Sequence, residues 1–298
     1  MATIVMTGGT SGFGARAAGR LARAGARLIL GARTPAGARA SSGDAVPLDL
    51  AELASVRAFA ASVRERLAGT PVDALVLNAG LIRPDADGRS ADGFETTFAV
   101  NHLAHYLLAR LLLPCLADGA LVVLTTSGTH DPATGAGLTP PRHADAGLLA
   151  HPDRDPGRES RPRAAGEHAY TASKLCAVLT ARALSERGLR AVAYDPGQVF
   201  GTGLAKDLAY PLRVAWKLLG TPVLRWPVSR LNPHLNSRAA AGDALADLAL
   251  GLTAPPGGRS YAALRRGRLT WPEPSERARD GEPARALWDD SAKLAGLA

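Results

Sequence analysis

Short runs of β-branched and leucine residues alternate with longer amphipathic segments along almost the whole chain. Parallel strands need long crossover connections, usually helices, so this alternation predicts βαβ units and a parallel sheet covered on both faces. Right-handed crossovers then give a doubly wound, Rossmann-type α/β fold with a mostly seven-stranded parallel sheet. The seven predicted strands are Thr3–Met6, Arg27–Leu30, Ala45–Pro47, Ala74–Leu77, Leu121–Thr125, Ala191–Tyr194 and Arg259–Ala262. The predicted helices are Ala15–Ala24, Leu50–Leu67, Phe94–Leu116, Thr171–Arg187 and Arg238–Leu250.

Two segments interrupt this alternation without defining a second domain, so we expect residues 1–298 to form one domain. Gly128–Glu167 has six prolines and many charges and is predicted to be a surface insertion. Lys206–Asn236 combines tryptophans and leucines with four prolines, which favours a hinged apolar lid over a substrate.

Composition excludes several classes of partner. The net charge of +8 comes mainly from scattered arginines, the densest being Arg265, Arg266 and Arg268, so we expect no nucleic-acid binding. No apolar run reaches the roughly 18 residues of a membrane span, so we expect no integral membrane association. The first predicted strand begins at Thr3, and the two cysteines form no disulfide framework, which together predict a cytoplasmic location without a signal peptide.

The segment Thr7–Gly14 places four glycines between the first predicted strand and the first helix. Glycine lets the backbone turn sharply and approach a pyrophosphate, which the free N–H groups of a helix N-terminus attract. The spacing differs from the common G-x-G-x-x-G fingerprint, but the position at the first strand–helix junction predicts a dinucleotide site. The residues expected to contact the cofactor here are Gly8, Thr10, Ser11, Gly12, Phe13 and Gly14.

The end of the second strand distinguishes between nicotinamide cofactors. An acidic residue there binds a ribose 2′-hydroxyl, whereas an arginine accommodates a 2′-phosphate. Arg33 occupies this place with no carboxylate nearby, and its planar guanidinium suits a phosphate. NADP(H) is therefore the expected cofactor.

Tyr170 and Lys174 are spaced i and i+4, one turn apart on the same helix face. A nearby ammonium stabilises a phenolate, so we expect Lys174 to lower the pKa of Tyr170 from its ordinary value of about 10. A tyrosine of this kind exchanges a proton with a substrate oxygen near neutral pH.

Together these motifs resemble the short-chain dehydrogenase/reductase family over nearly the whole chain. Asp49 and Leu50 resemble the pair that meets the adenine, although Asp49 also suits a helix cap. The other motifs that carry the likeness are Asn78-Ala79-Gly80, Asn101 and Pro196-Gly197.

The resemblance implies a mechanism. NADPH would deliver hydride to a carbonyl carbon while Tyr170 gives its proton to the oxygen. Lys174 would hold the nicotinamide ribose, and Asn101 would fix a water that relays protons. The further cofactor contacts that the family implies are Asn78, Ala79, Gly80, Pro196, Gly197, Val199 and Thr202.

The family also uses a hydroxyl at the end of the fifth strand to hydrogen-bond the substrate carbonyl. Counting along the strand from Gly119 favours Thr126, whereas anchoring on His130 favours Ser127. Serine is the usual residue of the family, so we assign Ser127 and keep Thr126 as the alternative.

Finer details resemble the branch of retinol dehydrogenases and protochlorophyllide reductases. The segments that carry this likeness are Ser127–His130, Lys174–Cys176, Gly201–Leu204 and Leu287–Ser291. The branch implies a bulky, apolar ketone, aldehyde or alcohol as the substrate, and bacterial polyketide ketoreductases resemble it too. Family members form homo-oligomers in many cases and monomers in others. With only Cys115 and Cys176, the chain lacks the cysteine set of the light-driven pigment reductase.

The sequence favours three other interpretations less. A non-catalytic NADP-binding regulator or redox sensor on the same fold would typically lack the tyrosine or lysine that this chain keeps. A membrane-surface protein would use the Trp216–Trp226 region, which prolines interrupt. His130, His143 and His151 fit no zinc spacing, so we expect no metal site.

Overall fold

A computed structural model describes residues 1–35, 43–200 and 232–297. In this part of the chain eight strands form one sheet, in the order β3-β2-β1-β4-β5-β6-β7-β8. The first seven are parallel, and β8 pairs antiparallel with β7. The strands are β1 Thr3–Thr7, β2 Arg27–Ala32, β3 Asp44–Pro47, β4 Val72–Leu77, β5 Leu116–Thr125, β6 Arg190–Asp195, β7 Tyr261–Arg265 and β8 Arg268–Thr270. The doubly wound prediction is confirmed, with an antiparallel edge strand added.

Helices cover both faces of this sheet, since side chains of alternate strand residues enter two separate cores. Val5 packs with Phe59 and Leu107 on one face, whereas Met6 packs with Leu245 on the other. The helices are α1 Gly12–Arg23, α2 Leu53–Leu67, α3 Thr96–Phe98, α4 Ala104–Leu112, α5 Ala146–Ala150, α6 Pro162–Glu186, α7 Arg238–Ala249, α8 Glu276–Arg279 and α9 Gly281–Leu294. A π-helical turn, Ala99–Leu103, joins α3 to α4, and 3₁₀ turns lie at Leu113–Cys115, Gly128–His130, Pro132–Thr134 and Pro152–Arg154.

The order of the strands places a crevice above the sheet. The chain runs outward from β1 through β2 to β3, then returns to β4 on the other side of β1. In such doubly wound sheets, ligands bind at the carboxyl ends of the strands where the order reverses. A ligand is therefore expected at the loops after β1, β4, β5 and β6.

Several predicted boundaries were wrong, and two helix ends show the physical reason. The predicted helix Phe94–Leu116 ends at Leu112, because Pro114 cannot continue a helix, and Leu116 already belongs to β5. Helix α6 begins at Pro162, nine residues before the predicted Thr171, with proline in the first turn where no N–H partner is needed.

The predicted insertion, residues 128–167, contains short helical turns and the first residues of α6. Part of it is buried, since Ala146, Leu149 and Ala150 of α5 belong to the main core. Residues 206–231 of the predicted lid lie outside the described residues, as does Thr202. None of the helices in the described ranges is both long and apolar enough to span a membrane.

Candidate active site

The glycine-rich turn between β1 and α1 forms a tight cradle. Gly8 and Gly12 have φ of +67° and +60°, where glycine is strongly favoured. A Cβ on Gly14 would lie 2.1 Å from the Gly8 carbonyl oxygen, so the two backbones touch. The side chain of Ser11 does not cap α1, and the first turn holds no acidic residue. Exposed N–H groups and the positive end of the helix dipole therefore suit a pyrophosphate.

The end of β2 carries an exposed cation. Arg33 follows the strand directly and is exposed to solvent. An exposed guanidinium at this position is suited to pairing with a 2′-phosphate. Across the next loop, Leu50 is buried, and Asp49 accepts a hydrogen bond from the N–H of Ala51 at 2.9 Å. The alternative that Asp49 caps the helix is wrong, since α2 begins at Leu53 and Asp92 accepts the N–H of Leu53.

Asn78 joins three strand ends. Its Nδ2 donates to the Gly8 carbonyl at 3.1 Å, and its Oδ1 accepts from the Thr125 hydroxyl at 2.9 Å. The Thr7 hydroxyl oxygen accepts the backbone N–H groups of Asn78 and Ala79 at 3.0 and 3.1 Å. The predicted motif after β4 thus braces the glycine-rich turn against β5.

Tyr170 and Lys174 are both buried on α6, with the lysine Nζ 5.5 Å from the tyrosine ring centroid. Burial raises the pKa of Tyr170 to about 12; a hydrogen bond to Ser127 opposes the rise and the charge of Asp195 adds to it. Burial lowers the pKa of Lys174 to about 8, partly offset by Asp195. The expected lowering of the Tyr170 pKa was wrong, because loss of hydration is the largest effect at this site.

The two candidate hydroxyls after β5 point to different partners. Thr126 donates to the Lys174 carbonyl oxygen at 2.7 Å, so its hydroxyl anchors α6. Ser127 is hydrogen-bonded to the Tyr170 side chain. Its position beside the tyrosine hydroxyl favours Ser127 as the polarising group.

Asn101 lies in the π-helical turn, a distortion that is frequent at functional sites. Its amide donates to the Leu81 carbonyl at 2.9 Å and to the Ser173 hydroxyl oxygen at 3.0 Å, and its Oδ1 accepts the Leu81 N–H at 2.9 Å. A Cβ on Gly80 would lie 3.4 Å from both Asn101 Oδ1 and Lys174 Nζ. The structure therefore brings Gly80, Asn101 and Lys174 together.

Asp195 stabilises the turn after β6, a role that the sequence analysis missed. Its buried carboxylate accepts the Gly197 N–H at 2.8 Å and pairs with Arg265 at 2.8 Å. Gly197 has a φ of +70°, and a Cβ there would lie 2.3 Å from the His234 carbonyl oxygen. An acidic residue at a strand end directly before a Pro-Gly turn was the signal available in the sequence. Pro196 and Val199 are buried in the same turn.

Two buried histidines were also missed as site residues. Nδ1 of His130 lies 2.8 Å from the Ser127 carbonyl oxygen. Nε2 of the same ring accepts a hydrogen bond from the Ser275 N–H at 3.3 Å. His105 lies 2.9 Å from the Thr7 hydroxyl. Among the described residues, no group of three or more His, Cys, Asp or Glu side chains is arranged to hold a metal ion.

Sequence comparisons find related proteins over nearly the whole chain. A family model described as short chain dehydrogenase matches residues 2–136. Protochlorophyllide reductase A, chloroplastic, of Oryza sativa subsp. japonica is 33% identical over 99% of this chain and 80% of that protein. Retinol dehydrogenase 13 of Homo sapiens is 30% identical over 99% of this chain and 85% of that protein.

Solved structures agree in fold. An uncharacterized protein from Mycobacterium paratuberculosis superposes with a TM-score of 0.67 at 29% identity, covering 99% of this chain and 94% of that chain. An alcohol dehydrogenase from Thermococcus sibiricus, complexed with 5-hydroxy-NADP, has a TM-score of 0.60 at 22% identity, covering 92% of this chain and 99% of that chain. The second likeness supports the fold alone.

Proposed function

The chain belongs to the short-chain dehydrogenase/reductase family, in the branch of the retinol dehydrogenases and protochlorophyllide reductases, and from this premise we propose that it is an NADPH-dependent carbonyl reductase. The proposed substrate is a bulky, apolar ketone or aldehyde, and the reverse reaction oxidises the alcohol. A polyketide-type ketone is one member of this substrate class. The single observation that carries the proposal is the group formed by buried Tyr170 and Lys174 with half-buried Ser127. Hydrogen bonds through Thr125 and Asn78 connect this group to the glycine cradle.

The cofactor would be held by the chain's own backbone and by one exposed cation. The glycine-rich turn and the free N–H groups of α1 would bind the pyrophosphate. Arg33 would pair with the 2′-phosphate, which is the basis for preferring NADPH over NADH. When bound, NADPH supplies the hydride.

Proton transfer follows from the pKa values of the buried groups. With a pKa of about 12, Tyr170 stays protonated at neutral pH and acts as the proton donor to the carbonyl oxygen. Ser127, which is hydrogen-bonded to Tyr170, polarises the same oxygen as negative charge develops there. Lys174, with a pKa of about 8, is mainly charged at neutral pH, so its ammonium supplies a positive charge next to Tyr170.

A matched pair of tyrosine variants tests the proposal. Tyr170→Phe removes only the hydroxyl, so NADPH still binds while NADPH oxidation with an active ketone falls by roughly 10²–10⁴-fold. Tyr106→Phe is the control, since its buried hydroxyl donates to the Trp288 carbonyl at 2.8 Å, away from the site. A screen across aromatic ketones, quinones, retinoid-like aldehydes and polyketide ketones identifies the substrate used in this assay.

Two outcomes would contradict the assignment. Turnover of Tyr170→Phe equal to that of Tyr106→Phe would remove the tyrosine from the mechanism. Tight NADPH binding without oxidation of NADPH by any carbonyl in the screen would instead favour the regulator or redox sensor on the same fold.

The single catalytic domain of residues 1–298, the cytoplasmic location and any homo-oligomer remain predictions.

A further inference from the structure

His105 lies between the two halves of the site. It belongs to α4, one turn after Asn101, and its ring is fully enclosed by protein. Nδ1 lies 3.2 Å from the Asn101 carbonyl oxygen, and Nε2 lies 2.9 Å from the Thr7 hydroxyl. Thr7 ends β1, 98 positions earlier in the chain.

The partners of His105 determine its tautomer. A backbone carbonyl only accepts hydrogen bonds, so Nδ1 must carry the proton that bonds Asn101. In a neutral ring Nε2 is then an acceptor, and the Thr7 hydroxyl must donate to it. Neutrality agrees with the surroundings, since burial lowers the pKa of His105 to about 4 and the charge of Lys174 lowers it too.

The Thr7 hydroxyl is left with no spare capacity. It donates to His105 and accepts the N–H groups of Asn78 and Ala79 at 3.0 and 3.1 Å. One donor and two lone pairs are the whole hydrogen-bonding capacity of a hydroxyl. The bonds therefore form one continuous chain from the Asn101 carbonyl through His105 and Thr7 to the turn after β4, and each bond has one possible direction.

We propose that His105 is a positioning residue that couples the Asn101 turn to the glycine-rich turn through Thr7. This inference rests on the proposed function, since it assigns His105 the alignment of the cofactor with the proton-transfer groups. His105 takes no part in the chemistry itself. Its removal disturbs cofactor binding and turnover together, beyond the loss of stability that any buried histidine causes.

The experiment compares two buried histidines one turn apart. His105→Phe keeps a ring of similar size and removes both hydrogen bonds. His102→Phe is the matched control, because His102 is equally buried but bonds the Ser291 hydroxyl of α9, at 2.8 Å, instead of the site. Thermal stability is measured for both, together with the NADPH dissociation constant and kcat with an active ketone.

Both variants are expected to lose stability, but only His105→Phe should weaken NADPH binding and lower kcat, each by about tenfold or more. Thr7→Val should cause a similar loss, and the double variant Thr7→Val/His105→Phe should be little worse than either single variant. Additive losses, or equal cofactor binding and kcat in His105→Phe and His102→Phe, would overturn the proposal. If His105→Phe does not fold, His105→Asn, which retains an N–H donor on a shorter side chain, replaces it in the same comparisons.

A measurement on the ligand-free protein separates this inference from the proposed function. The ¹⁵N resonances of His105 should report a neutral, Nδ1-protonated ring from pH 8 down to 5, and Thr7→Val should shift the Nε2 resonance. An Nε2-protonated ring, or an Nε2 resonance unchanged by Thr7→Val, would overturn the His105 link. A wild-type protein that binds no NADPH would overturn the proposed function alone, and the resonances would still decide whether the link exists.

Discussion

Gly14→Ala offers the sharpest test of the cofactor cradle, because the structure gives both the clash and its control. An added Cβ would lie 2.1 Å from the Gly8 carbonyl oxygen and 2.6 Å from Asn78 Nδ2, whereas ordinary contacts begin near 3.4 Å. Neither neighbour can yield by rotating a flexible side chain. The Gly8 oxygen is backbone, and Asn78 is held by hydrogen bonds at both ends of its amide.

Opposing contributions determine the size of the effect. Alanine is the better helix former, which stabilises α1 by about 1 kcal/mol. Overpacking costs about 1–3 kcal/mol or more, and loss of the bond from Asn78 to Gly8 costs about 1 kcal/mol more. The free energy of unfolding should therefore fall by about 1–3 kcal/mol. NADPH affinity should fall as well, because the displaced turn is the proposed pyrophosphate site.

Urea unfolding and a fluorescence titration with NADPH measure the two effects. Gly147→Ala in α5 is the control, since its Cβ would meet only Asp145 Oδ1, at 3.4 Å. That variant should match the wild type or gain up to about 1 kcal/mol. A Gly14→Ala protein with the stability and NADPH affinity of Gly147→Ala would refute the close approach of the two backbones and the binding role assigned to it.

Three further predictions concern charge. Arg33→Ala should weaken NADPH binding roughly 10- to 100-fold and leave NADH nearly unchanged; equal losses in calorimetric titrations with both would contradict its role. The reductive kcat/KM should decline as pH rises through about 8, the pKa of buried Lys174. Asp195→Asn should move that decline to lower pH, because the Asp195 carboxylate raises the pKa of Lys174. A pH profile that Asp195→Asn leaves unchanged would argue against this role of the carboxylate. Burial is the largest of the effects that lower the pKa of His102 to about 3 and that of His168 to about 4. Below pH 6.5 the unfolded chain therefore takes up protons on these histidines that the folded chain does not. The free energy of unfolding should be full above pH 6.5 and decrease below it, by about 1.4 kcal/mol per pH unit for each histidine. Equal free energies of urea unfolding at pH 7 and pH 5 would disprove the last expectation.

Patterns within a few residues predicted most of the fold. The hydrophobic runs located all seven parallel strands, since a strand buried on both faces needs apolar side chains at nearly every position. The short edge strand β8 was missed because its Arg268–Thr270 sequence carries no such run. Helix ends were less accurate near Pro114 and Pro162, where α4 ends four residues before the predicted Leu116 and α6 begins nine residues before the predicted Thr171.

Some features of the candidate site also follow from the sequence alone, whereas others depend on the tertiary structure. The amino-acid sequence alone determined the positions of the glycine-rich turn and of Tyr170 and Lys174, because each motif depends on neighbours within one helical turn or one loop. Tertiary structure alone decided the direction of the Tyr170 pKa shift, the position of Asp195 below the turn after β6 and the bond from Thr7 to His105. These properties depend on burial and on pairs of groups that lie far apart in the chain. A pKa or a buried hydrogen bond responds to the removal of water and to every group that replaces it, and only the packed fold determines which groups those are.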